Sequence, residues 1–248
     1  DPRVVDFYRQ LPPADPARSD PFHAAPKNLF QLGPSGIQRV VRARWTAGQE
    51  AVIALEIAWQ TREPGRQQGE TLLAEERIYR LASRGPCTVV DLFSRLMQSE
   101  RPVTLLPEND HGYIGVRVHD LIDVEDGGRM VDSEGRVNPT EHFRDDAGDR
   151  RIPRWVDCTG RIGPSVFGIA LMSHPANLRN EWYLREFGLM IISAAQSQPV
   201  RITTESPFEY AARFVAHDGK LSSGAADQLH AEFGGVTMAA LKSLVKRP

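Results

Sequence analysis

The sequence predicts an all-β protein, a large antiparallel β-sandwich of roughly ten or more strands with short helices only at its C-terminus. Apolar and polar residues alternate with a period of two through most of the chain, which is typical of half-buried strands. Glycine- and proline-containing turns separate these segments at short intervals. A helical period occurs only after residue 220.

Three regions follow from these patterns. Residues 1–35 are rich in proline, aspartate and alanine, so we expect an extended arm without regular strand pairing. Residues 36–220 form the predicted sandwich domain, and residues 221–248 form a helical tail. Two short helices are expected in that tail, at residues 225–233 and 237–246, with Ser222 or Ser223 as the first N-cap.

The first four strands are predicted to form an antiparallel meander. Apolar residues occupy every second position in two segments joined by a turn at residues 46–49. A charged loop at residues 62–70 precedes a second pair, which turns at residues 83–86. The four predicted strands are residues 40–45, 53–59, 71–82 and 88–97.

A strand predicted at residues 113–122 has two different faces. Its apolar face consists of Ile114, Val116, Val118 and Ile122. Its other face consists of Tyr113, Arg117 and His119. This second face either lines a polar cleft or is the exposed outer face of a sandwich.

The remaining strands frame a charged region. Residues 123–151 predict a short hairpin followed by a mobile loop, because charged and turn-forming residues dominate there. Strand patterns return at residues 200–204 and 208–217 and complete the β pattern.

The most informative stretch is residues 153–190. Two apolar strand candidates, residues 166–172 and 187–192, enclose a short polar segment that leads into a strand at residues 181–187. Pro175 favours an extended conformation for His174 and ends strand pairing there. The polar and aromatic residues of this segment and of the strand that follows it are His174, Asn177, Arg179, Glu181, Trp182, Tyr183 and Arg185. The segment is either a binding site at a strand end or a polar loop between two core strands.

Three motifs in this stretch resemble the bacterial family named "methane oxygenase PmoA-like". Residues 155–160 (WVDCTG), 174–177 (HPAN) and 182–189 (WYLREFGL) are similar to that family's W-V-D-Y-S-G, H-P-x-N and W-H-x-R-x-Y-G-L. The resemblance extends faintly from residues 6–8 to residues 217–219, and it implies a ligand-binding role for Arg117 and Arg185. A tyrosine, Tyr183, stands where the relatives have histidine. Their upstream His-His-Arg segment has no counterpart here, so the sequence is either a fragment or that of a member that lost the segment. We therefore expect a weak or inactive member if the family is catalytic.

Composition excludes several classes of function. A net charge of −2 and a pI near 6.4 give no basic surface for nucleic acid or an anionic membrane. The longest apolar run, residues 187–195, is far shorter than the roughly 20 residues that cross a bilayer. We therefore expect a soluble protein, cytoplasmic rather than periplasmic, and not a methane monooxygenase. Cys87 and Cys158 are expected to be free thiols, because a chain of this size does not need disulfides.

No cofactor and no metal ion are predicted. The sequence has no phosphate-binding loop, dinucleotide fingerprint, G-x-S-x-G or H-E-x-x-H motif. No two histidines have the i,i+2 or i,i+4 spacing of a metal site on one element. His119 and His174 could still converge in space, but an ordinary buried or exposed histidine is the simpler interpretation.

The remaining polar and aromatic residues suit a sugar or glycoside. Sugar rings combine apolar C–H faces with hydroxyl edges, which aromatic rings and planar polar groups recognise. Trp155, Trp182 and Tyr183 would stack on the sugar, unless the two tryptophans are simply core residues. The predicted hydrogen-bonding residues are Arg117, His119, Asn177, Arg179 and Arg185. Arg185 shares a strand face with Tyr183 and Phe187, which could stack with its guanidinium.

Two functions remain open at this point. The first is a carbohydrate-active hydrolase, lyase or epimerase that uses His174 or Asp157 as proton donor or acceptor. The second is a noncatalytic carbohydrate-binding or structural domain, and either could form oligomers. For both we expect a large two-sheet sandwich of the kind seen in galactose mutarotase-like proteins.

Overall fold

A computed structural model describes residues 36–61, 69–107, 112–140, 142–143 and 152–245 of the chain. The predicted arm at residues 1–35 lies outside the described residues. The strands of the described part are β1 (Gly36–Thr46), β2 (Glu50–Thr61), β3 (Thr71–Arg84), β4 (Cys87–Gln98), β5 (Val103–Leu105), β6 (Ile114–Arg117), β7 (Arg129–Asp132), β8 (His142–Phe143), β9 (Trp155–Ile162), β10 (Ser165–Ser173), β11 (Glu181–Arg185), β12 (Leu189–Ser193), β13 (Val200–Ile202) and β14 (Phe208–Asp218). A short 3₁₀ helix spans Asp120–Ile122, and the α-helices are α1 (Ser223–Gly234) and α2 (Met238–Leu244).

Eight strands form one large antiparallel sheet in the order β1-β2-β3-β4-β14-β10-β9-β7. Its first four strands are consecutive in the chain, so the predicted meander is confirmed. The hairpin between β3 and β4 turns at Gly85 and Pro86, and Gly85 has a φ of 59°, which glycine adopts without strain. Strands β6-β12-β11-β8 form a second sheet, and β5 pairs with β13 in a two-stranded sheet.

The second sheet packs on one side of the large sheet, which we call its inner face. Both sheets contribute to a single apolar core there. The second sheet contributes Trp182, Leu184, Met190 and Ile192, and the large sheet contributes Trp59, Leu73, Leu96, Leu171 and Tyr210. This arrangement confirms the predicted all-β sandwich. The narrower prediction of a galactose mutarotase-like sandwich stays a prediction.

The two C-terminal helices cover the opposite, outer face of the large sheet. Phe233 of α1 meets Phe93 of β4 edge-on, with ring centroids 5.8 Å apart, and Leu241 of α2 joins the same apolar cluster. Both predicted helices are present, although α2 ends at Leu244. Ser222 is the N-cap of α1, since its Oγ accepts from the backbone N–H of Ala225 at 3.2 Å. Among the described helices, none has the length and apolar character needed to span a membrane.

A buried charge network lies between α1 and the large sheet. Arg213 of β14 donates from Nε and Nη2 to the two carboxylate oxygens of Asp91 on β4, at 2.6 and 3.1 Å. Arg80 of β3 donates to the same carboxylate from the other side. The Nη1 of Arg213 donates to the carbonyl of Leu229 in α1 at 2.5 Å. One carboxylate therefore links three strands, and through Arg213 it holds the helix.

The predicted strand at residues 113–122 is shorter than expected and its faces differ. Pairing ends at Arg117, and the 3₁₀ helix follows because the side chain of His119 accepts from the backbone N–H of Leu121. Tyr113 does not share the exposed face of Arg117. Its ring packs on Trp59 in the core between the sheets, and its hydroxyl lies 2.6 Å from the Oγ of Ser94.

The two cysteines are free and lie on opposite faces of the large sheet. Cys87 belongs to the outer cluster under the helices, and Cys158 belongs to the core between the sheets. The sheet therefore separates the two sulfurs, and the prediction of free thiols is confirmed. Burial raises the pKa of both thiols, that of Cys158 to about 12.

We expect the native protein to react slowly with a thiol reagent at about pH 8, because burial disfavours the reactive thiolate. In denaturant without reductant the same reagent should count two thiols per chain. Absorbance of the released chromophore measures both. A count of zero in denaturant, with a monomeric mass, would contradict the assignment of both cysteines as free.

The Asp91 network should contribute more to the free energy of unfolding than an exposed ion pair between the same strands. We expect Asp91→Ala to lower the free energy of unfolding by about 3–5 kcal/mol, because it leaves the buried Arg213 without its carboxylate partner and Arg80 with only a long contact to Glu50. Glu209→Ala is the matched control. Glu209 also pairs with an arginine across β4 and β14, but its side chain is 63% exposed, so its loss should cost below about 1 kcal/mol. Urea titration measures both values, and equal losses would contradict the larger contribution of the Asp91 network.

Candidate functional site

His174 directly follows β10, and both of its ring nitrogens hydrogen-bond to the main chain. Its Nδ1 accepts from the backbone N–H of Ala176 at 3.1 Å, so Nε2 carries the proton and donates to the carbonyl of Val236 at 3.2 Å. The ring packs edge-on against Phe93 and Phe233. Burial lowers the pKa of His174, which favours the neutral imidazole. With both nitrogens engaged, this geometry does not favour the predicted role in proton transfer.

Asn177 and Arg179 bind the backbone. The amide of Asn177 makes two hydrogen bonds with the main chain of Ala211, accepting at 2.8 Å and donating at 2.9 Å. Arg179 donates from Nε and Nη2 to the carbonyl of Ala194, at 2.9 and 2.5 Å. Both side chains therefore fix the polar segment against neighbouring strands, and the donors that were expected to meet a ligand are used internally.

Neither of the two tryptophans that were predicted to stack on a sugar is accessible to a ligand. Trp155 is buried under α1, and its Nε1 donates to the carboxylate of Asp227 at 2.9 Å. Trp182 is fully buried between the two sheets. These positions correct the expectation that the two rings stack on a sugar, because strand alternation directs both toward a core.

Asp157 forms a buried ion pair with His217, which belongs to the faint resemblance at residues 217–219 but was not predicted as a site residue. The Nε2 of His217 lies 2.9 Å from Asp157 Oδ1, and its Nδ1 lies 3.1 Å from the carbonyl of Gly219. Both nitrogens can donate to these two acceptors only when the ring is an imidazolium, so the geometry favours the protonated form. Burial opposes this charge, but the hydrogen bond and the charge of Asp157 outweigh it and raise the pKa of His217. Thr159 donates to the second oxygen of Asp157 at 2.8 Å.

The imidazolium depends on a glycine and lies at the floor of a cleft. A Cβ at Gly168 would lie 2.4 Å from the ring of His217, so only glycine leaves room for it. The cleft has a volume of about 450 Å³ and opens between the β3–β4 turn and α1. Its lining includes Arg84, Cys87, Lys220, Gln228 and Glu232. His217 is only 5% exposed, so the ion pair is closed off from a ligand in the cleft.

The second sheet carries a different group of residues at one end, which we call the arginine–aromatic cluster: Arg117, Tyr183, Arg185 and Phe187. The guanidinium of Arg185 lies 5.7 Å from the ring centre of Tyr183 and 5.9 Å from that of Phe187. Arg117 lies 5.1 Å from Phe187. The stacking expected for Arg185 is therefore present, and one phenyl ring is approached by two guanidinium groups.

The arginines of the cluster are exposed and only loosely neutralised. Their side chains are 55% exposed for Arg117 and 43% for Arg185. Among the described residues, Asp120 lies 3.9 Å from Arg117 and Glu186 lies 3.6 Å from Arg185, both beyond hydrogen-bonding distance. The Nε of Arg185 is buried and has no hydrogen-bond partner among the described residues. Because the side chain as a whole is partly exposed, the donors that a ligand could reach are its other guanidinium nitrogens.

The backbone beneath the cluster is firmly anchored. Phe187 lies in the turn between β11 and β12 rather than in a strand, and Gly188 supplies a φ of 73° that completes it. The carbonyl of Glu186 accepts from the N–H groups of Val124 and Glu125, and that of Gly188 accepts from Val118. A rigid turn therefore positions Phe187 between the two arginines.

The structure thus divides the predicted site residues into separate places. Arg117, Tyr183 and Arg185 come together in the cluster, and exposed His119 is near Arg117 in the chain. His174, Asn177 and Arg179 lie in the turn before β11, at the strand end opposite Arg185. Trp155 and Asp157 lie on the outer face of the large sheet, and Trp182 lies in the core. Within the described ranges, no group of three or more metal-binding side chains occurs.

The fold and site define an all-β protein of the two-sheet sandwich class with a helical cover on one sheet. The other sheet carries two exposed arginines beside the half-buried ring of Phe187 and the buried ring of Tyr183. The sequence profile of DUF6807, a family of unknown function, matches residues 26–231. The match spans most of the chain, which therefore belongs to this family. No curated protein and no solved structure matches the chain.

The Asp157–His217 pair should give stability a characteristic dependence on pH. Because the folded pKa of His217 is raised, its contribution is complete below the ordinary histidine value of about 6.5 and is lost as pH rises through the folded pKa. We expect the loss of unfolding free energy in His217→Gln to be larger at about pH 5.5 than at about pH 9. Urea unfolding at both pH values measures it.

The matched comparison is His217→Gln in an Asp157→Asn background. The loss should there be nearly independent of pH, because the carboxylate that raises the pKa is absent. The buried ion pair would be contradicted by a loss that is the same at both pH values in the wild-type background.

Proposed function

We propose that this protein is a noncatalytic carbohydrate-binding domain that holds the carboxylate of an acidic sugar at the arginine–aromatic cluster. The observation that carries the proposal is the approach of two exposed guanidinium groups, Arg117 and Arg185, to the single ring of Phe187. The resemblance of the sequence motifs assigns a binding role to the same two arginines.

The chemistry of the cluster fits a sugar acid. A guanidinium donates two parallel hydrogen bonds to a carboxylate, and this planar match is lost in lysine. The half-buried ring of Phe187 offers an apolar surface to the C–H face of a pyranose. An uncharged sugar would use the ring but would leave the two cations with only their loose contacts to Asp120 and Glu186.

Binding is favoured over catalysis by the state of the two candidate catalytic residues. His174 has both nitrogens engaged with the main chain, and Asp157 is closed under the helices in its pair with His217. Neither is part of the arginine–aromatic cluster. A proton-transfer group beside a bound sugar would have to come from another residue.

The test compares two trisaccharides, trigalacturonate and uncharged galactotriose. We expect NMR shifts of the protein with trigalacturonate, no conversion of the sugar, and weaker binding as salt screens the charges. Arg117→Lys and Arg185→Lys should each weaken binding about tenfold, because they keep the charge but lose the planar fork.

Arg201→Lys is the matched control, since Arg201 is an exposed arginine on the separate two-stranded sheet. It should bind trigalacturonate like the wild type. Equal binding of both trisaccharides, no binding of either, or insensitivity to both cluster variants would refute the assignment. Turnover of trigalacturonate would refute the noncatalytic part.

A further inference from the structure

We propose a second interaction surface: strand β1 is a docking edge for an extended, acidic segment of a partner protein, which adds to the large sheet as a further strand. The proposal is independent of the arginine–aromatic cluster, which lies on the second sheet. It rests on three properties of β1, namely its position, its exposed apolar side chains and its charge.

The position of β1 makes strand addition possible. It is the outermost strand of the eight-stranded sheet, and ten of its eleven residues pair with β2. In the described part of the chain, its other side has no strand neighbour. An edge of this length presents a row of backbone N–H and C=O groups that can hydrogen-bond to an added strand.

The side chains of β1 are unusual for an exposed edge. Val40, Val41 and Trp45 are 53%, 66% and 73% exposed. Charged residues and bulges protect edge strands from aggregation, and β1 has both, but large exposed apolar groups do not serve that purpose. β1 does have a bulge near Val41, yet it leaves this valine and the tryptophan open to solvent. Exposed apolar groups on a pairing edge indicate a surface that a partner covers.

The charge of β1 selects the kind of partner. The strand has three arginines, Arg39, Arg42 and Arg44, and no acidic residue. Glu56 of β2 is 3.7 Å from Arg42 and 3.4 Å from Arg44, so one carboxylate is shared by two cations. The Nε of Arg44 is buried without a hydrogen-bond partner. A second copy of β1 would bring arginines into the pairing with no acid to offset them, which disfavours self-association.

The pairing register defines the pattern that the partner needs. The residues facing the inner side are Val40, Ala43 and Trp45, opposite Ile57, Leu55 and Ile53 of β2. Those facing the outer side are the three arginines, of which Arg44 lies opposite Ala54. An added strand with acidic and apolar residues in alternation would place its acids by the arginines and its apolar groups by Trp45.

The experiment uses the full chain and two synthetic nine-residue peptides, one alternating glutamate with valine and one alternating lysine with valine. Trp45 is a selective reporter, because the other tryptophans, Trp59, Trp155 and Trp182, are all buried. We expect the glutamate peptide to protect tryptophan fluorescence from quenching by acrylamide and to bind at least about tenfold more tightly than the lysine peptide.

Arg39→Glu combined with Arg42→Glu should abolish binding of the glutamate peptide, and Arg201→Glu should not. Both changed positions are exposed, so the double variant should remain folded. Equal binding of both peptides, or binding of neither, would overturn the proposal. It would also be overturned if the chain dimerises through β1, or if the glutamate peptide binds only after removal of residues 1–35, because the occupant would then be a second copy or the chain itself.

Discussion

Burial of the large sheet on both faces is the constraint on which the rest of this structure depends. A sheet with one open face can leave its polar residues in water, but here the second sheet covers one side and two helices cover the other. Charged residues on the outer face must therefore find partners inside the protein. Asp91 with Arg213, and Asp157 with His217, meet this requirement. Because Arg213 also holds the Leu229 carbonyl, the same pairing fixes where α1 lies.

The burial of the large sheet on both faces also determines which side chains stay accessible to another molecule. Most polar and aromatic residues of residues 153–190 have structural contacts. For example, His174 and Arg179 hydrogen-bond to the main chain, and Trp182 packs in the core between the sheets. Groups available to a ligand or partner lie instead where the layers end. One such place is the turn around Phe187, and another is the outermost strand β1. A molecule that contacts either place would leave the doubly covered sheet undisturbed.

The sequence was most informative where a local pattern determines structure. Period-two alternation predicted the meander and the sandwich, and the helical period with its serine cap predicted α1, because each depends on neighbouring residues. Alternation alone does not tell which of two buried faces a side chain enters, so the burial of Trp155 and Trp182 on different faces could not be read from spacing. The pairing of Asp157 with His217 joins residues far apart in the chain, and no local signal marks it. The grouping of Arg185 with Tyr183 and Phe187 was predictable because all three belong to one short segment.

The absence of a side chain at Gly168 has an evolutionary consequence. An imidazole at position 217 and a methyl group at position 168 exclude each other, since the added carbon would overlap the ring. The glycine, the histidine and the aspartate at 157 therefore constrain one another, although they belong to three different strands. Family members that lose the histidine become free to vary at position 168, whereas those that keep it should retain glycine there. Covariation of these positions across the family would record the ion pair as a shared ancestral feature.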